Sequence, residues 1–231
     1  PPRAGEKAMR KSIAAAAIVS LLCLPGVAPA DTSLGIRAGT LGAGAEISYA
    51  VSQRLALRLG ADTYTRTGTV TKLDIEYDAK AKLQTASLLA DWFPFANNFR
   101  LSLGVMYNGN KVTGTGKPTA GTFTINGVPY QASDVGTLDA TVDFKKTAPY
   151  FGIGYGRPIN GGLSFLFDLG VMFQGKPIAT LTASCGPTAP QGSAQCNQIG
   201  SDVAAEQATA DEKLKNFKYY PVLSLGLAYT F

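Results

Sequence analysis

The stretch FKYYPVLSLGLAYTF, from Phe217 to Phe231, decides how the rest of the chain is read. Its odd positions are Phe217, Tyr219, Pro221, Leu223, Leu225, Leu227, Tyr229 and Phe231. Its even positions are Lys218, Tyr220, Val222, Ser224, Gly226, Ala228 and Thr230. A period of two belongs to a strand with one apolar side and one small or polar side. The apolar side carries rings at both ends and leucines between them. That order suits a strand facing lipid, where rings sit among headgroups and aliphatic side chains meet hydrocarbon. The last strand of a soluble sandwich would also alternate, but would more often close on polar residues.

The other end of the chain sets the compartment. Arg10 and Lys11 precede an apolar run from Ile13 to Leu24, and Ala28-Pro29-Ala30 offers a small-x-small cleavage site before Asp31. This is the pattern of a secretory leader, too short to span a bilayer. It predicts processing after Ala30, with Met9 as the true start and residues 1–8 upstream of it. Cys23 lacks the small residues before it that a lipid anchor requires. Without residues 1–30 the chain holds 17 basic and 15 acidic side chains. That near balance gives no case for nucleic acid as a partner. No later segment is apolar for long enough to make a transmembrane helix.

Between the two ends, alternating segments follow one another, bounded by turn residues. Leu55, Leu57 and Leu59 alternate with Arg58 and Gly60. Ile75 to Leu83 alternate with acids and lysines. Leu101 to Tyr107 and Leu163 to Phe173 repeat the pattern. Between Asp139 and Gly156 the parity slips, and a bulge near Ala148-Pro149 would absorb it, since proline cannot donate to a ladder. Short connections at Ser52-Gln53, Pro94 to Asn98 and Arg157 to Gly161 alternate with long ones at 114–138 and 181–215. With both chain ends on one side, parity predicts strands over 32–40, 42–51, 54–67, 73–92, 99–113, 139–156, 162–180 and 216–231. The expected fold is all-β: an eight-stranded antiparallel transmembrane barrel of the outer-membrane type over 31–231, with long extracellular loops. Asn126-Gly127 predicts a type I′ hairpin inside the first long loop. The run from Asp202 to Lys215 predicts a short surface helix in the second.

The sequence contains no histidine. A serine or water nucleophile needs a base that titrates near neutrality, so hydrolase or acyltransferase chemistry is not expected, nor is any cofactor. Cys185 and Cys196 are the only cysteines after the leader. In an exported chain they predict a disulfide. The glycines of Gly152-x-Gly154-x-Gly156 precede no helix and read as strand glycines. Inward charges remain, with Glu46, Arg58, Asp62, Lys80, Lys82, Arg100, Asp139, Asp143, Lys145 and Asp168 as candidates for the barrel interior. They form either a plug of paired charges or a narrow polar path for solute. Substitution by arginine should be tolerated better at inward Ser224, given room, than at outward Leu225.

The runs LLADWFPF (88–95), RLSLGVMYNGNK (100–111), TINGVPYQ (124–131), APYFGIGYG (148–156) and FDLGVMFQGKP (167–177), with the final strand, resemble a family of small proteobacterial outer-membrane barrels, the carbapenem-associated, ornithine-uptake (CarO) type. The resemblance covers most of residues 34–231 and marks the scaffold, not a ligand site. It implies an eight-stranded barrel and passive uptake of small solutes such as basic or small amino acids. The alternative is a non-conducting structural or surface-interaction barrel. Tyr229 and Phe231 resemble the terminal signal read by the barrel-assembly machinery. Outer-membrane lipids, that machinery and small solutes are the expected partners, and the expected state is a monomer.

Overall fold

The computed structural model describes residues 32–72, 75–118, 121–157 and 161–231. The leader and its cleavage after Ala30 lie outside the described residues. The elements are β1 (Thr32–Gly39), β2 (Gly42–Ser52), β3 (Leu55–Lys72), β4 (Ile75–Trp92), β5 (Phe99–Asn108), β6 (Lys111–Pro118) and β7 (Thr122–Ile125). They continue as β8 (Val128–Gln131), β9 (Val135–Asp143), β10 (Thr147–Tyr155), β11 (Gly162–Met172), β12 (Ile178–Cys185), α1 (Ala194–Leu214) and β13 (Tyr220–Thr230).

Eight of these strands close an antiparallel barrel in the order β1, β2, β3, β4, β5, β10, β11, β13. The ring is sealed where β13 returns to β1, with Leu227 opposite Ile36. Closure removes every edge in the barrel wall, which lipid would otherwise leave without hydrogen bonds. Alternation then sorts the side chains. Ile36, Leu59, Leu88, Leu103, Leu163, Phe165 and Leu225 stand exposed on the outside, a continuous apolar surface that water would not tolerate at this extent. Trp92, Phe95, Tyr155, Tyr229 and Phe231 ring one end, and Tyr64, Tyr107, Phe173, Phe217 and Tyr219 ring the other. The belt between them is the lipid-facing band.

Beyond the barrel rim the wall continues as a second sheet. The β3–β4 ladder runs unbroken from Leu55–Trp92 to Lys72–Ile75. Its outer half is joined in turn by β6, β9 and β12. Three of the strands expected from sequence therefore divide. The segment 99–113 breaks at Gly109-Asn110. There the Gly109 amide donates to the Gln84 carbonyl at 2.7 Å, and the Asn110 side chain accepts from the Gln84 amide at 3.0 Å. The segment 139–156 breaks at Phe144 to Lys146, and this break absorbs the parity slip. No bulge forms at Ala148-Pro149, because Pro149 lies within β10 opposite Val105. The segment 162–180 breaks after Met172, and β12 leaves the wall to pair with β9 instead.

The extracellular end is completed by the β7–β8 hairpin and α1. Asn126 and Gly127 have φ values of 51° and 78°, as a type I′ turn requires. The helix starts at Ala194, eight residues earlier than the expected 202, because Ser193 caps it by accepting from the Cys196 amide at 3.1 Å. It covers the free edge of β12. The Ala179 and Leu181 amides donate to Asp211 and Gln207 of the helix at 2.8 and 2.9 Å. Ile125, Tyr130, Val135, Ala189, Ile199 and Val203 form a small core beneath it.

Cys185 and Cys196 are bonded, tying the end of β12 to the first turn of α1. Closing a loop of this length contributes about 3 kcal/mol in the chain-entropy account. Cys185→Ser with Cys196→Ser should therefore raise amide exchange in α1 while leaving exchange in the barrel strands unchanged. A loss of barrel protection would contradict the independence of the two parts.

Asp202 joins the hairpin to the helix. It accepts from the Tyr130 hydroxyl, from Asn126 Nδ2 at 3.2 Å and from Gln198 Nε2 at 3.2 Å. These donors, Tyr130 foremost, hold its carboxyl below the usual aspartate range. Burial, then the Asp202 carboxylate, push the Tyr130 phenol up to about 12. A lowered carboxyl stabilises fully above its unfolded value, near ~3.9, and loses that contribution as pH falls through the lower folded value. Hairpin amide resonances should thus shift only in strongly acidic solution, and Asp202→Asn should abolish that acid response. A transition near neutrality would exclude Asp202 as its source.

Candidate functional site

An eight-stranded barrel has an interior just wide enough for side chains to fill. Here it fills in layers. At the periplasmic end Phe93 is fully buried, and the Arg157 guanidinium lies 5.7 Å from its ring centre. Arg157 also donates to the carbonyls of Gln53 and Ala96, crossing the mouth between two turns.

The middle layer is ionic. Arg58 on β3 is its centre, donating to Asp168 at 3.0 and 3.1 Å, to Asp91 at 3.0 Å, and to Glu46 at 3.4 Å. Arg100 on β5 donates to both oxygens of Asp168 at 2.9 and 3.0 Å and to the Gly156 carbonyl. Arg37 on β1 forms a two-pronged pair with Asp62 at 2.8 and 2.7 Å and reaches Glu46 at 2.8 Å. Ser87, Ser102 and Thr85 supply further hydrogen bonds. Three arginines thus face four carboxylates, one more acid than base. Glycines make the room: a Cβ on Gly60 would sit 2.6 Å from Arg37 Nη2, and one on Gly154 would sit 2.7 Å from Arg100 Nε. Each charge offsets the desolvation of another, so the cluster holds only as a set.

Above it lies an apolar layer of Leu41, Leu89, Met106, Ala148, Tyr150, Met172 and Val222. Leu41 enters from the tight β1–β2 turn, where the wall is lowest. The void between the two layers is about 20 Å³, lined by Arg37, Arg58, Asp62, Tyr150 and Asp168 among others. That is room for a single water and for no organic solute.

Of the sequence candidates, Glu46, Arg58, Asp62, Arg100 and Asp168 meet in this layer. Lys80 and Lys82 do not. They stand exposed above the rim, on the same side of β4 as lipid-facing Leu88 and Trp92. A strand keeps its parity across the membrane boundary, but its polarity inverts: the outward face meets lipid below the rim and water above it. Asp139, Asp143 and Lys145 likewise belong to the outer sheet and its junction, with Asp143 3.5 Å from Lys111. Arg37 and Asp91 were missed. Both were visible by parity, Arg37 between Ile36 and Ala38 and Asp91 between Ala90 and Trp92. Tyr229 and Phe231 are exposed at the periplasmic girdle, edge to face at 5.3 Å.

No protein-family model matches the sequence, and no curated protein is similar to it. Solved structures are. Acinetobacter baumannii CarO is 21% identical, over 86% of this chain and 97% of its own, with a TM-score of 0.54. The fold is that of a CarO-type outer-membrane β-barrel. CarO2 of the same organism is 17% identical, over 87% of this chain and 98% of its own, also with a TM-score of 0.54. At such identities the likeness is one of fold.

Proposed function

We propose that this outer-membrane barrel is closed to solutes and works through its extracellular sheet and helix, as a structural or surface-interaction protein. The observation that carries this reading is the packed lumen, where an ionic layer and an apolar layer leave a void of about 20 Å³. Moving a small amino acid past them requires opening the arginine–carboxylate network and displacing Leu41 and Tyr150. The extracellular part, by contrast, is a built object, with its own core and a disulfide.

A second reading is passive uptake of small solutes such as basic amino acids. The surplus carboxylate of the lumen favours it, because Glu46 Oε1 is buried without a hydrogen-bond partner and a cation would find one there. Planar-bilayer conductance and liposome swelling, with ornithine against a neutral sugar of similar size, separate the two. Silence for both solutes is the expected result. Swelling with ornithine alone, reduced by Asp168→Asn, would replace the closed reading with uptake, and swelling with both would make the barrel an unselective pore.

A further inference from the structure

We propose that Lys145, Lys146, Lys176 and Lys218 form a docking surface for the phosphorylated headgroup of an outer-leaflet lipid. The four come from three segments that meet where the barrel wall gives way to the outer sheet. Lys145 and Lys146 lie in the break between β9 and β10, Lys176 in the break between β11 and β12, and Lys218 just before β13. Contacts bring these breaks together. The Gly175 amide donates to the Lys218 carbonyl at 3.2 Å, which joins the second and third segments. The Lys145 stem passes over Gly175, its Cδ 2.9 Å and its Cε 3.2 Å from where a Cβ there would stand.

All four lysines are exposed, and none of the three segments contains an acid. The acids nearest in sequence are engaged elsewhere. Asp143 faces Lys111, Asp211 holds the Ala179 amide, and Glu212 pairs with Lys215. Among the described residues none of the four lysines forms a salt bridge, so the patch presents positive charge at a fixed height. That height is set by Phe173 and Tyr219, which pack edge to face at 5.6 Å on the lipid side, within one to three residues of Lys176 and Lys218. Aromatic side chains mark the interface, and lysines just beyond it reach the level of phosphates while their stems lie along apolar surface. A free phosphate would need the charge but not the rings. The pairing of the two argues for a lipid.

The inference needs only the membrane placement, not the closed lumen, and its test reads lipid retention, which conductance does not affect. The protein is reconstituted in phosphatidylcholine nanodiscs containing bis-phosphorylated lipid A, and bound lipid is counted by native mass spectrometry on release. Wild type should retain lipid A. Each single Lys→Gln change should weaken retention about five-fold, and all four together at least a hundred-fold. Lys80→Gln with Lys82→Gln, on the outer sheet, should change nothing. Heat-modifiability on gels checks that each variant is folded; if the fourfold variant is not, Lys145→Gln and Lys218→Gln alone carry the test. Equal retention of dephosphorylated lipid A, or undiminished retention by the lysine variants, overturns the proposal. Displacement of the lipid by inorganic phosphate alone would do so too, assigning the patch to a free anion.

Discussion

Asp168→Ala should lower the unfolding free energy of the barrel by about 3–5 kcal/mol, measured by denaturant titration in lipid vesicles. The carboxylate is shared by Arg58 and Arg100, whose side chains are each 1% exposed. Truncation takes from Arg100 its close carboxylate, leaving Asp91 at 3.9 Å, and from Arg58 one of three, in a space that holds no more than a water as replacement. Asp168→Asn keeps the shape and one acceptor and should cost less. The loss belongs chiefly to the stranded Arg100, not to the missing pair itself, so a second change should recover much of it. Asp168→Ala with Arg100→Met removes one stranded charge and replaces it with apolar volume. If Asp168→Ala cost no more than an exposed ion pair, under ~1 kcal/mol, the lumen would have to be wet and the layered plug wrong.

The second large effect lies on the outside. Leu225 is half exposed at the centre of β13, opposite Ala38 on one neighbour and Phe167 on the other. Leu225→Arg should cost roughly 2–4 kcal/mol in a bilayer, where the cation meets hydrocarbon near the midplane. The inward comparison changes once the interior is known. Ser224 borders the void of about 20 Å³ and packs where Gly39 leaves no space for even a Cβ. An arginine there does not fit, so Ser224→Arg should also destabilise, by overpacking. The two mechanisms part company with the solvent. Moving from a thick bilayer to a thin one should relieve Leu225→Arg and leave Ser224→Arg unrelieved, and equal relief of both would mean the facing is misassigned.

The barrel was legible because lipid imposes a rule that local sequence obeys: every second residue apolar, with rings at the ends. The final strand shows this in full, and the tight turns at Thr40-Leu41 and Asn126-Gly127 follow from their own residues. The outer sheet was not legible in the same way. Pairing of β12 with β9, and of β6 with the outer half of β4, joins residues far apart in sequence, and neither strand advertises its partner. Lys80 and Lys82 were drawn into the interior by reading polarity without height. Arg37 and Asp91 were there to be found, since their neighbours on both sides face lipid, but β1 is short and the inward face of β4 also holds Leu89. The salt-bridge partners follow from the three-dimensional register alone.

One asymmetry governs how the two halves of the molecule move together. Of the strands that pass the rim, β3 and β4 cross it without interruption, while the paths from β5 to β6, from β9 to β10 and from β11 to β12 all break there. Mechanically the outer sheet is a flag on a single stiff pole. A pull on it from outside the cell passes down β3 and β4 together and is resisted in shear where they pair with β2 and β5, and the three breaks serve as slack tethers. The compliant motion left is a sway about that ladder, which swings α1 and the hairpin over the mouth or away from it while the wall below keeps its register.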